Sequence, residues 1–221
     1  KANLIELKNA IKQYHYPETL ENYNNARKRI VFDEFFMHQC AWLLKRKEYN
    51  EIKKAYKIRV SWDFIDSFFQ SLSFTPTKSQ LDVIREITKD LNHSVPMARL
   101  LQGEVGSGKT LVAVVSALAV IESNYKSAIM APTEILAEQH YISTLEMFDS
   151  VIKISPFHSK LKIKGLSKEI SIGLFLGSMP EKIKQEMRKS IKEGVYDFLI
   201  GTHTLIQDNI KIPDLGLSII D

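Results

Sequence analysis

The chain has 221 residues, 44% hydrophobic and 25% charged, with a net charge of +4 and a single cysteine. Such a composition excludes collagen-like, coiled-coil and wholly disordered chains and points to one large globular domain, or one domain with a smaller companion. The longest apolar run, Leu111–Ile121, is broken by Ser116 and is too short to cross a bilayer, so no membrane partner is expected.

Lys1, Glu6 and Lys8 among leucines do not read as a signal peptide, and Lys rather than Met at position 1 reads as a cut edge. Residues 1–70 hold 13 Lys/Arg against 9 Asp/Glu, whereas residues 71–221 hold 17 of each. The basic block suits either a nucleic-acid partner or solvated helix faces. This block has no Gly and one Pro, Pro17, and reads as helical over residues 1–71. From Ala26 to Tyr56 apolar residues such as Phe35, Trp42 and Leu44 spread around the helix. They predict a brace covered on more than one side. Cys40 lies in FFMHQCAWLL, where burial is the expected role. One cysteine makes no disulfide framework and fits a reducing cytoplasm.

From about residue 72 the pattern changes to strand alternating with helix. ARLLQ (98–102) precedes a glycine loop and the helix TLVAVVSALAVIES. SAIMA (127–131) precedes Pro132-Thr133 and a helix over 134–148. SIGLF (171–175) precedes Gly177-Ser178 and a charged helix, DFLI (197–200) precedes GTHTL, and LSIID closes the chain. This order predicts a mostly parallel, three-layer α/β sheet with its loops gathered at the carboxyl ends of the strands.

GEVGSGKT, Gly103 to Thr110, fits G-x-x-x-x-G-K-T at every fixed position. Gly103, Glu104, Val105, Gly106, Ser107 and Gly108 supply a backbone able to wrap phosphates with its N–H groups, and the next helix adds its positive dipole end. Lys109 suits the β- and γ-phosphates and Thr110 suits Mg²⁺. A nucleoside triphosphate site follows, although this loop alone serves kinases, GTPases, transporters and helicases alike. LSIID supplies the second half, an apolar strand ending in a carboxylate, Asp221, to hold the magnesium shell. The Glu that usually follows as base for the attacking water would be position 222.

RLLQGEVGSGKT, APTEILAEQH, GTHTLIQD and LGLSIID, in this order, resemble the first motor domain of superfamily 2 DNA helicases. With PMARLL and ARKRIVFDEFF they resemble in particular the RecG family, which remodels branched DNA at stalled forks. The resemblance covers roughly residues 15–50 and 72–221. It implies a RecA-like P-loop domain over 72–221 behind a helical linker over 1–71. It also implies ATP and Mg²⁺ as cofactors and branched DNA as partner; the sequence does not give the oligomeric state, and a monomer is the expectation. Thr133 would touch a DNA backbone phosphate; the residues alone equally allow a helix cap. Thr202, in GTHTL, would be a further DNA contact. SFTPTKSQ resembles the adenine-recognition segment, with Phe74 stacking on the base and Gln80 reading its edge. Thr77-x-x-Gln80 is equally a capping box.

Two positions depart from the family. Leu176 stands where a threonine usually precedes Gly177-Ser178, which leaves Gly177 and Ser178 as the DNA contacts there. Residues 155–169 look longer than usual and carry Lys160, Lys162, Lys164 and Lys168, as a basic hairpin near DNA or a solvated surface insertion. The resemblance also implies arginines supplied by a second lobe, so residues 1–221 alone are expected to hydrolyse ATP negligibly. Rival readings are a transcription-repair coupling translocase and, in another class, a P-loop small-molecule kinase or nucleotide-gated scaffold.

Overall fold

The alternation after residue 108 folds into a six-stranded sheet in the computed structural model, which describes residues 4–51, 56, 58–163, 168–207 and 210–221. The chain divides into two compact units, residues 1–53 and 54–221.

The first unit is an antiparallel helix pair, α1 (Leu7–His15) and α2 (Leu20–Glu51), broken at Pro17, whose ring cannot continue a helix. The Thr19 hydroxyl accepts the Asn22 N–H at 3.1 Å and caps α2. Ala10 and Gln13 are buried, as is Ala26, and Tyr14 stacks on Tyr23 with centroids 5.5 Å apart. These contacts engage only the amino-terminal part of α2. Phe35, Phe36, Met37, Trp42, Leu43 and Leu44 stay exposed, Trp42 by 69%. The cover expected on more than one side is therefore not supplied among the described residues. Of the helix expected to Tyr56, residues 52–55 lie outside the described residues.

The second unit opens with α3 (Trp62–Ser71), capped by Ser61, and α4 (Lys78–Asn92). Residues 58–71 pack with this unit, although the sequence groups them with the helical linker. The reason is apolar burial: Ile58, Phe64, Ile65 and Phe68 join its core, at about 2 kcal/mol per large side chain. Then follow α5 (Lys109–Glu122), β1 (Lys126–Met130), α6 (Glu134–Glu146), β2 (Val151–Ser155) and β3 (His158–Leu161). β4 (Ile170–Phe175), α7 (Glu181–Lys192), β5 (Phe198–Gly201), a 3-10 turn (His203–Ile206) and β6 (Leu215–Ile220) complete the unit.

Strand order is β2-β3-β4-β5-β1-β6. The β4–β5, β5–β1 and β1–β6 pairs are parallel, while β2–β3 and β3–β4 are antiparallel. Every residue of β4 and β5 is buried. Side chains alternate between the two faces, so both faces are covered and the sheet is the middle of three layers. α5 is buried along nearly its whole length. Ser116, the polar break in its apolar run, donates to the Val112 carbonyl at 2.7 Å and so needs no outside partner.

Two expectations are corrected. Residues 98–102 form no strand: Leu100 is 80% exposed, and Arg99 donates to Glu86 at 2.6 Å and to Asp90 at 2.8 Å, tying the segment to α4. Residues 155–161 do form the turn and second strand of an antiparallel β2–β3 hairpin, but the segment is not a solvated insertion. β3 lies inside the sheet between β2 and β4, with Ser159, Leu161 and Ile163 buried. Lys160 pairs with Glu169 and Lys168 with Asp197. Residues 164–167 lie outside the described residues.

Candidate active site

The parallel strands bring their carboxyl ends to one edge. There Asp221 N–H donates to the Met130 carbonyl at 2.9 Å and Ala131 N–H to the Gly201 carbonyl at 2.8 Å. α5 ends beside the amino end of β1, where Tyr125 N–H donates to the Val120 carbonyl. It therefore runs back along β1, and its N-terminus returns toward the carboxyl edge.

The glycine loop opens this helix. Gly106 and Gly108 have φ near +80°, which an L side chain rarely adopts. Gly108 is also pressed by Gln80 Nε2, so a Cβ there would collide. Ser107 N–H closes a turn on the Glu104 carbonyl at 3.1 Å. Lys109 Nζ donates to the Gly103 and Glu104 carbonyls at 2.8 and 2.9 Å. The ammonium thus rests on its own loop, on neutral carbonyls that a phosphate oxygen would outbid as acceptor. Lys109 and Thr110 begin α5, where backbone N–H groups have no partner in a preceding turn.

Gln80 serves two elements. Its Oε1 accepts the Thr77 N–H at 2.8 Å while its N–H donates to Thr77 Oγ1 at 3.3 Å, completing the capping box of α4. Its Nε2 donates to the Ser107 carbonyl at 3.0 Å. Both amide ends are occupied, one by the cap and one by the glycine loop. Phe74 is 48% exposed, in a cleft of about 490 Å³ that Phe69, Leu72 and Pro76 also line.

A second cluster gathers three strand-end loops. Glu134, first residue of α6, accepts the Ser178 N–H at 2.8 Å. The Ser178 hydroxyl and backbone, and then the Gly177 N–H and the nearby His203, hold this carboxyl below its ordinary range. Lys184 Nζ donates to the Gly177 carbonyl at 3.0 Å. Thr133 caps α6, accepting the Leu136 N–H at 3.3 Å, and is exposed. Thr202 is not presented to a ligand. It is 2% exposed and its hydroxyl pairs with Thr204 at 3.2 Å, leaving His203 and Ile206 as the exposed side chains of that turn. Leu176 is buried, as an apolar residue at that place requires.

Asp221 pairs with His140 of α6 at 2.9 Å. Among the described residues no three His, Cys, Asp or Glu side chains cluster to hold a metal. The hydroxyl of Thr110 and the carboxylate of Asp221 are hard oxygen donors. They suit Mg²⁺, which keeps several waters and takes substrate phosphates as ligands. The sequence reading missed Glu134, His140 and Lys184. The first two stand inside APTEILAEQH, and their signal is only that charged and imidazole side chains follow a strand-end cap.

A glycine loop opening a helix toward the carboxyl edge of a parallel sheet, with a carboxylate ending a neighbouring strand, defines a P-loop nucleotide-binding domain. The family model for DEAD/DEAH box helicases matches residues 70–221, and the chain belongs to that family. It is 40% identical to the ATP-dependent DNA helicase RecG of Aquifex aeolicus over 227 residues, covering 100% of this chain and 26% of the relative. It is 37% identical to RecG of Synechocystis, covering 100% of this chain and 24% of that protein. The solved structure of RecG bound to a three-way DNA junction is similar, with a TM-score of 0.75 and 33% identity, over 98% of this chain and 27% of that one. The chain spans about a quarter of the length of the relatives it matches. Among the described residues no helix is long and apolar enough to cross a membrane.

Proposed function

We propose that this chain is the linker and first motor domain of an ATP-dependent helicase that remodels branched DNA. The observation that carries the reading is the Gln80–Ser107 hydrogen bond, which joins the adenine-recognition segment to the phosphate loop. Similarity to RecG proteins over the full chain supports the choice of branched DNA as substrate.

In this reading Phe74 stacks on adenine and Gln80 senses the base edge by relaxing its bond to Ser107. The N–H groups of residues 103–110 receive the phosphates, and Lys109 leaves the Gly103 and Glu104 carbonyls to neutralise them. Thr110 and Asp221 would hold Mg²⁺, which supplies charge neutralisation on the transferring phosphoryl group. Thr133 uses one acceptor lone pair for the helix cap and keeps its hydroxyl proton for a DNA phosphate. Ser178 lies in the same cluster, one loop away. Thr202 contributes through the backbone of its turn, because its side chain is buried.

The reading is tested by DNA-stimulated ATP hydrolysis and three-way-junction unwinding in the full-length protein. Both are expected, and both should be absent from residues 1–221 alone, whose turnover needs arginines from a second lobe. Robust DNA-stimulated turnover by residues 1–221 would contradict this.

A further inference from the structure

α6 begins at the Glu134 cluster, and His140 follows six residues on, about 9 Å along its axis. The imidazole is largely covered, at 17% exposure, and its Nε2 lies 2.9 Å from Asp221 Oδ2. A carboxylate offers only acceptors, so Nε2 carries the proton and donates. The Asp221 backbone is fixed separately, by its N–H on the Met130 carbonyl. Backbone and side chain of Asp221 are therefore each held by one hydrogen bond. Among the described residues Oδ1 accepts none, and it remains free.

We infer that His140 is a positioning residue for Asp221: it holds Oδ2 so that Oδ1 faces the magnesium shell of the nucleotide site. This rests on the reading of Asp221 as the magnesium-side carboxylate. Carboxylates that serve metals are themselves oriented by hydrogen bonds, and losing such a partner typically costs 10- to 100-fold in metal affinity. An untethered Asp221, nearly half exposed, would sample several rotamers. The same contact also makes α6 a physical link between the strand-end cluster at Glu134 and the nucleotide side of the sheet.

The test is Mn²⁺ affinity, read by electron paramagnetic resonance, in the full-length protein bound to a non-hydrolysable ATP analogue. His140→Ala should weaken Mn²⁺ by roughly 10- to 100-fold while leaving metal-free analogue binding in EDTA unchanged. His140→Gln, which places an N–H near the former Nε2, should recover most of the loss. Asp221→Ala is measured in parallel. Wild-type Mn²⁺ affinity in His140→Ala, with Asp221→Ala impaired, overturns the role of His140 alone. So does a glutamine variant no better than alanine, or a loss of metal-free analogue binding in His140→Ala, either of which would make the contact one of packing. An unaffected Asp221→Ala removes the magnesium-side assignment itself, and the inference with it.

Discussion

Gln80 Nε2 donates to the Ser107 carbonyl while its Oε1 accepts the Thr77 N–H, so one amide connects a helix cap to the phosphate loop. The two roles use different atoms and can be separated. Thr77→Ala should cost about 1 kcal/mol of stability through the lost cap and leave nucleotide affinity near wild type. Gln80→Glu keeps the acceptor for Thr77 but replaces the donor with an oxygen facing a carbonyl. It should lower nucleotide affinity on the order of 10-fold with a smaller change in stability. Urea melts and nucleotide titrations of the two variants check this; a parallel loss in both variants would contradict it.

Glu134 should keep the Gly177–Ser178 turn ordered. Glu134→Ala removes the charged acceptor of the Ser178 N–H, and hydrogen bonds to charged groups contribute about 1.5–3 kcal/mol. The Ser178 amide should then exchange with deuterium at least about 10-fold faster, with Glu134→Gln intermediate. Single-stranded DNA binding should weaken in the same order. Unchanged exchange at Ser178 would remove Glu134 from this role.

The strand and helix segments from residue 109 onward were legible because apolar runs and turn residues alternate, and β1, β4, β5, β6 and the intervening helices lie within a few residues of expectation. Residues 98–102 misled for a physical reason: apolarity marks a strand, but pairing is decided by neighbours, and Arg99 draws this segment to α4. β3 was hidden because its one lysine, Lys160, lies with His158 on the half-buried face of a strand whose other face, with Ser159 and Leu161, is buried. At the site, the glycine loop announced itself by spacing. Thr202 did not reveal its burial, since burial depends on the packing of the 3-10 turn against β4, where Thr204 donates to the Phe175 carbonyl at 3.4 Å. Glu134 and His140 act across the sheet on residues 44 and 81 positions away, and no local pattern encodes such pairings.

Stability should fall in mild acid through His158. Burial, and then the charge of Lys160, lower its pKa from the ordinary value of 6.5; its Nε2 is 2.7 Å from Ser171 Oγ. The unfolded chain therefore binds this proton more readily than the folded one. The contribution is complete above about pH 6.5 and is lost as pH falls through the lower folded value. His158→Gln should flatten the urea-midpoint profile between about pH 7 and 5; an unchanged slope would contradict the assignment.

Asp197 is the structural carboxylate of the sheet. It accepts Lys126 Nζ at 2.9 Å and the Ser171 N–H at 3.0 Å while only 12% exposed. Asp197→Ala leaves the Ser171 amide without its acceptor and the half-buried Lys126 ammonium with the Gly194 carbonyl but no counter-charge, and should cost about 3 kcal/mol in urea unfolding. Asp197→Asn, which retains acceptor oxygen, should cost less.

As a working ATP site, Gly103–Thr110 depends on the Lys109 ammonium. The most direct measurement is DNA-stimulated ATP hydrolysis by full-length protein carrying Lys109→Ala, beside equilibrium binding of a fluorescent ATP analogue. Loss of the ammonium should weaken analogue binding about 10-fold or more and abolish stimulated turnover, with the fold intact by thermal melting. Wild-type turnover in Lys109→Ala would show that this loop does not drive hydrolysis.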